Sequence, residues 1–168
     1  DYALGMHDEH ALPAGVIGFH PGYFRANSTS LDMTVYGTGG HGAFPQSAID
    51  PVVIAARIVL GLQTIVSREN NPVDPAVITV GSIHGGKASN VIPDTVEMTG
   101  TIRSYTPEVR KSLHDELQKA VRLVEALGGK AELTIKLGYP PTVNSPDATA
   151  NMVEATRDLL GADKVFEA

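Results

Sequence analysis

Cysteine is absent from the 168 residues, which excludes disulfides and thiolate metal ligands within them and leaves the redox compartment open. No uninterrupted apolar run reaches the roughly 18 residues of a spanning helix, and no signal-peptide pattern opens the sequence. Blocks of basic charge are missing too. The 13 basic and 19 acidic residues are scattered, with a formal net charge of −6, so there is no electrostatic footprint for nucleic acid or an anionic membrane. A small-molecule or protein partner is expected instead, with cytoplasm as the default location. There is no initiator methionine at Asp1-Tyr2-Ala3-Leu4-Gly5, and Lys164-Val165-Phe166-Glu167-Ala168 reads as the opening of a strand. Both ends suggest a piece of a longer protein.

What is present is a globular composition, 42% hydrophobic, with strong local signals. Leu31, Met33 and Val35 alternate with Asp32, Thr34 and Tyr36, the period of a strand with one buried face. Asp50-Pro51 opens a helix whose run from Val52 to Val66 is apolar around most of its circumference, which implies cover on more than one side. Ala76 to Ile83 alternates as a second strand, and Val96, Met98 and Thr101-Ile102 mark a third, antiparallel to it across a short link. Thr106-Pro107-Glu108 starts a second helix with Val109, Leu113, Leu117, Ala120, Val121 and Val124 on one face, ended by Gly128-Gly129. Ala131 to Leu137 alternates again. The order strand, helix, strand, strand, helix, strand is the α+β, ferredoxin-like split βαβ arrangement. Tyr139-Pro140-Pro141 reads as an exit linker, followed by a helix from Ser145-Pro146 to Gly161.

Four positions can carry chemistry, each with a plainer alternative. His41 stands among the glycines of Gly37-Thr38-Gly39-Gly40-His41-Gly42, where backbone and imidazole can approach a ligand closely, or where the chain simply makes a wide turn. The loop lacks the GxxxxGK[ST] spacing of a phosphate cradle. Asn90 is a polar amide in a Gly-rich connection, or only a turn residue. Arg103 can clamp a carboxylate through two N–H groups, or lie solvated at a strand end. His7, with His10, His20, Asp8 and Glu9 nearby, offers imidazole and carboxylate donors for zinc, manganese or cobalt, but the spacing matches neither HExxH nor a closed site. Any metal role for His7 needs ligands from elsewhere.

Three blocks in this order, Gly39-Gly40-His41-Gly42-Ala43-Phe44-Pro45 with Ile49-Asp50-Pro51, Gly85 to Asp94, and Gly100-Thr101-Ile102-Arg103, resemble the metal-dependent aminoacylase, carboxypeptidase and auxin-conjugate hydrolase family. The resemblance implies a bacterial exopeptidase dimerisation domain at residues 30–138, inserted in an α/β zinc-peptidase catalytic domain represented by residues 1–29 and 139–168. It implies two divalent metal ions (zinc, manganese, cobalt or nickel) in the full-length protein, with His7 of Leu4-Gly5-Met6-His7 as a ligand and the other ligands outside this chain. No complete metal site and no activity are then expected of the chain alone. By the same resemblance His41 reaches into the partner subunit's active site to stabilise an oxyanion, and Asn90 and Arg103 hold the substrate's carboxylate. Gln46 replaces a histidine found in some relatives, and Met6-His7-Asp8 is not the commonest wording of its block; both leave substrate preference open.

The implied reaction is hydrolysis of N-acyl amino acids (N-acetyl, N-benzoyl or similar) by metal-activated water. An exopeptidase or N-carbamoyl amino acid hydrolase of the same architecture is the alternative, and a non-catalytic ferredoxin-like dimerisation module is a second one from a different class. The chain itself is expected to form a symmetric homodimer joined through a sheet edge and a helix face.

Overall fold

In this computed structural model residues 3–167 are described. The elements are β1 (Ile17–Phe19), β2 (Gly22–Arg25), β3 (Thr29–Tyr36), β4 (Gly40–His41), α1 (Pro51–Thr64), β5 (Ala76–Gly85), β6 (Val91–Ile92), β7 (Thr95–Ser104), α2 (Pro107–Ala126), β8 (Lys130–Leu137), β9 (Thr142–Asn144), α3 (Pro146–Leu160) and β10 (Val165–Glu167). They fall into two compact units, residues 26–140 and the two terminal segments on either side.

The larger unit is a four-stranded antiparallel sheet in the order β5-β7-β3-β8. Non-sequential neighbours arise because each helix carries the chain past a strand, so β7 lies between β3 and β5, and β3 lies between β7 and β8. This is the ferredoxin-like split βαβ fold expected from the order of elements. Alternation along β3 sends Leu31, Met33 and Val35 to the helix-covered face, beside Met98 and Ile102 of β7. Ile54, Ala55, Ile58 and Leu62 of α1 and Leu113, Leu117 and Val124 of α2 close that core.

Local sequence accounts for the helix starts. Asp50 Oδ1 accepts the Val52 and Val53 amides at 2.9 and 3.4 Å ahead of Pro51, and Thr106 Oγ1 accepts the Val109 amide at 3.3 Å ahead of Pro107. After α1 a π turn at Ile65–Glu69 prolongs the helical path to 19 residues, long and apolar enough by composition to cross a membrane, although no uninterrupted apolar run of that length is present. Its core-facing side nevertheless packs on the sheet. Within this chain α1 is covered on one face only, which corrects the expectation of cover on several sides: Val53 and Leu60 are 50% and 71% exposed.

β5 departs from simple alternation. Val80 pairs with Gly100 and Ser82 with Thr99, so Gly81 is extra and forms a bulge. The bulge shifts the phase by one, and Ile83, not Ser82, shares the helix-side face with its partner Met98. One edge of the sheet is therefore a bulged strand with Val77 and Ile83 about half exposed.

In the terminal unit β1 runs parallel to β10, and β2 pairs antiparallel with β9. α3 starts at the Ser145 cap, whose Oγ accepts the Ala148 amide, and stops at Gly161, which has φ +94. The expected closing strand is β10; Asp1, Tyr2 and Ala168 lie outside the described residues.

Candidate active-site loops

Two loops meet at one end of the sheet. Leaving β3, the Gly37 amide donates to the Asp94 carbonyl at 2.8 Å, and Thr38 exchanges two backbone hydrogen bonds with Ile49 at 2.9 and 3.0 Å. The Gly39 amide donates to Asp94 Oδ1 at 2.9 Å. β4 and β6 then pair, Gly40 with Ile92 and His41 with Val91, and the Gly42 amide donates to the Asn90 carbonyl at 2.8 Å. The glycines permit this close approach: a Cβ on Gly37 would lie 2.1 Å from the Ile49 carbonyl oxygen. What reads in sequence as a Gly-rich loop or a wide turn is tied by backbone hydrogen bonds along most of its length.

The exposed His41 ring is oriented from within its own loop. The Ala43 amide donates to His41 Nδ1 at 3.1 Å, and the Phe44 ring is tilted at 59° against it with centroids 5.4 Å apart. With Nδ1 accepting, the proton of the neutral imidazole sits on Nε2. Nε2–H has no hydrogen-bond partner among the described residues, so it is free to donate to a ligand oxygen. The Asn90 side chain is likewise exposed without a hydrogen-bond partner among them, while its carbonyl secures Gly42. The structure thus joins the loops that carry His41 and Asn90, through the Gly42 amide and the Asn90 carbonyl.

Arg103 is elsewhere. It pairs with Val77 near the far end of β7, on the face opposite buried Ile102 and Ser104, and its Nη1 donates to the Ile102 carbonyl at 3.0 Å. Asn90 precedes the start of β7 at Thr95, and the eight-residue rise from Thr95 to Arg103 alone is about 27 Å. Within one chain Arg103 and Asn90 are at opposite ends of the sheet.

His7 lies in an irregular, exposed segment of the terminal unit, with Nδ1 2.5 Å from the Asp8 carbonyl oxygen and 3.7 Å from Asp8 Oδ1. His10 Nδ1 is 3.1 Å from Glu9, whose carboxyl is held below its ordinary range by the Ala11 amide and then by Arg25 at 3.3 Å. Among the described residues there is no group of three or more His, Asp or Glu able to hold a metal. The donors among the described residues do not make a metal centre, and His7 stands apart from any such group.

Sequence reading gave Asp94 no role, although it anchors the His41 loop through both its carbonyl and its carboxylate. An acid just before a strand is too ordinary a signal, and its partner Gly39 is 55 positions away.

Comparison with known proteins adds a family to this geometry. Residues 23–129 match the M20 peptidase dimerisation domain. The chain is 36% identical over 156 residues to the N-acetyldiaminopimelate deacetylase of Leuconostoc mesenteroides, covering 91% of this chain and 40% of that protein. It is 38% identical over 169 residues to the IAA-amino acid hydrolase ILR1-like 2 of Arabidopsis thaliana, covering 98% of this chain and 38% of that protein. A Bacillus subtilis crystal structure, described as a dinuclear metal-binding peptidase of the M20 family, superposes with a TM-score of 0.69 at 26% identity over 96% of this chain and 39% of that one. The chain spans about two fifths of the length of these relatives.

Proposed function

The chain belongs to the M20 peptidase dimerisation domain family, and from that premise we propose that it is the dimerising segment of a metal-dependent amidohydrolase acting on N-acyl amino acids. In this reading residues 30–138 are the dimerisation domain, and residues 1–29 and 139–168 belong to a catalytic domain completed by residues outside this chain. Two divalent ions, zinc, manganese, cobalt or nickel, would be held mainly there, with His7 as one ligand, and when bound would supply an activated water. This chain's own part is to pair subunits, to bind the substrate carboxylate and to stabilise charge on the scissile carbonyl oxygen.

The observation that carries the reading is the separation of His41 and Asn90 from Arg103 along a sheet with a free β5 edge. Antiparallel pairing of two β5 strands about a twofold axis would add the partner's sheet to this one. It would bring the His41 and Asn90 end of one subunit toward the Arg103 end of the other. Asn90 and Arg103 can then serve one carboxylate, but only from different subunits. The exposed side of α1, with Val53 and Leu60, and the half-exposed Ile83 give that edge an apolar flank. His41 Nε2–H, with its tautomer set by Ala43, is suited to donate to a developing oxyanion.

The likeness to the Leuconostoc deacetylase and the Arabidopsis conjugate hydrolase favours an N-acyl amino acid over other amides. The likeness to the Bacillus subtilis peptidase keeps an exopeptidase as the second reading, with an N-carbamoyl amino acid hydrolase beside it. No nucleic acid or membrane enters the reading, and its location is cytoplasmic.

The test is hydrolysis by the full-length protein with divalent metal of N-acetyl, N-benzoyl and N-carbamoyl amino acids and dipeptides, comparing wild type with His41→Ala. We expect turnover of N-acyl amino acids and a loss in kcat of about a hundredfold or more in the variant, with the dimer intact by sedimentation. Unchanged turnover in the variant would return the His41 loop to a purely structural role.

A further inference from the structure

We propose that Asp94 is a positioning residue for His41; this rests on the reading of His41 as the donor to the scissile carbonyl. Among the described residues, loop 37–44 donates a hydrogen bond to a side chain outside itself at one place, where Asp94 Oδ1 accepts the Gly39 amide at 2.9 Å. The Asp94 carbonyl accepts the Gly37 amide at 2.8 Å. One residue thus grips the loop at both positions flanking Thr38.

Its base is firm. Asp94 follows Pro93, whose ring restricts φ, and directly precedes β7, which is paired on both sides in the sheet. From Gly39 the chain passes at once into the short ladder in which Gly40 faces Ile92 and His41 faces Val91. A displacement at Gly39 is therefore carried over two residues to the imidazole. The fit is close: a Cβ on Gly39 would lie 2.8 Å from the Ile92 carbonyl oxygen and 2.9 Å from Asp94 Oδ1. Substitution on either side of this contact, Asp94→Ala or Gly39→Ala, disturbs the same link by a different route.

Asp94 touches neither substrate nor the reacting atoms in this scheme. It fixes where His41 Nε2–H stands and keeps the Ala43 amide on Nδ1, so its loss should scatter the ring and not unfold the domain. Asp94→Asn retains an Oδ1 acceptor and should recover most of what Asp94→Ala loses.

Two measurements test this. In the 168-residue chain with ¹⁵N-labelled histidine, wild type and Asp94→Asn should show His41 with its proton on Nε2, whereas Asp94→Ala and Gly39→Ala should show averaging between the two tautomers. In the full-length protein, with an N-acetyl amino acid as substrate, Asp94→Ala should lower kcat about tenfold or more and leave KM within about twofold. A wild-type ring pattern in both Asp94→Ala and Gly39→Ala overturns the proposal, because the ring reports on positioning whether or not turnover depends on it. Full activity of His41→Ala sinks the underlying reading instead, and the ring pattern still decides the part played by Asp94.

Discussion

The Gly42 amide donates to the Asn90 carbonyl at 2.8 Å, beyond the short β4–β6 ladder that already joins the two loops carrying the candidate active-site side chains. Its tolerance differs from that of the neighbouring turn. A Cβ on Gly42 would come 3.0 Å from the Asn90 oxygen, a crowding that small shifts relieve, whereas on Gly37 it would come 2.1 Å from the Ile49 oxygen. Gly37→Ala should therefore destabilise the domain by about 1–3 kcal/mol, the ordinary range for overpacking, and Gly42→Ala by less. Urea unfolding of both variants checks the order, and equal midpoints would contradict it.

α1 offers a sharper contrast. Ile58 is fully buried on the sheet and Leu60 is 71% exposed, two residues away on the other face. Ile58→Ala should cost about 2–5 kcal/mol of folding stability through lost burial and a residual cavity. Leu60→Glu should leave the fold intact while shifting sedimentation from dimer toward monomer. A Leu60→Glu chain that remains as dimeric as wild type would remove α1 from the proposed interface.

How far the fold was legible follows from the range of each signal. The alternation of Leu31, Met33 and Val35 and the pairs Asp50-Pro51, Thr106-Pro107 and Ser145-Pro146 are local, and they mark a strand and three helix starts directly. The bulge at Gly81 depends on Thr99 and Gly100 across the ladder, so Ile83 could not be assigned a face from its own neighbours. Because α1 is apolar nearly all round, its pattern could not show which side this chain covers. The candidate site was legible as residue types, but not as an arrangement: the distance between Asn90 and Arg103 depends on the uninterrupted length of β7.

Arg110 forks onto the chain where it enters the larger unit. Its Nε and Nη2 donate to Thr29 Oγ1 at 3.0 and 2.9 Å, and Nη2 also donates to the Ser28 carbonyl at 2.8 Å. Thr29 is fully buried, so removing the guanidinium withdraws both of its donors from that hydroxyl. Arg110→Met should cost about 1–3 kcal/mol, and Arg110→Lys should recover only part, because an ammonium lacks the planar fork. A double-mutant cycle with Thr29→Val reads the coupling; an energy near zero would mean that the contact contributes nothing to stability.

His114 gives the domain a defined pH dependence. Partial burial is the main cause that holds its imidazole below the ordinary value of 6.5, followed by the charge of Arg110, with Asp115 opposing, and its Nε2 is buried without a hydrogen-bond partner among the described residues. Since the folded value is depressed, the unfolded chain takes up more protons than the native one as pH falls below 6.5. The stability associated with neutral His114 is therefore complete above 6.5 and lost as pH falls through the folded value. His114→Gln cannot titrate, so the stability difference between wild type and this variant should move against wild type between about pH 7 and pH 5. Chemical denaturation at several pH values measures it: parallel curves would show that His114 titrates alike in the folded and unfolded states.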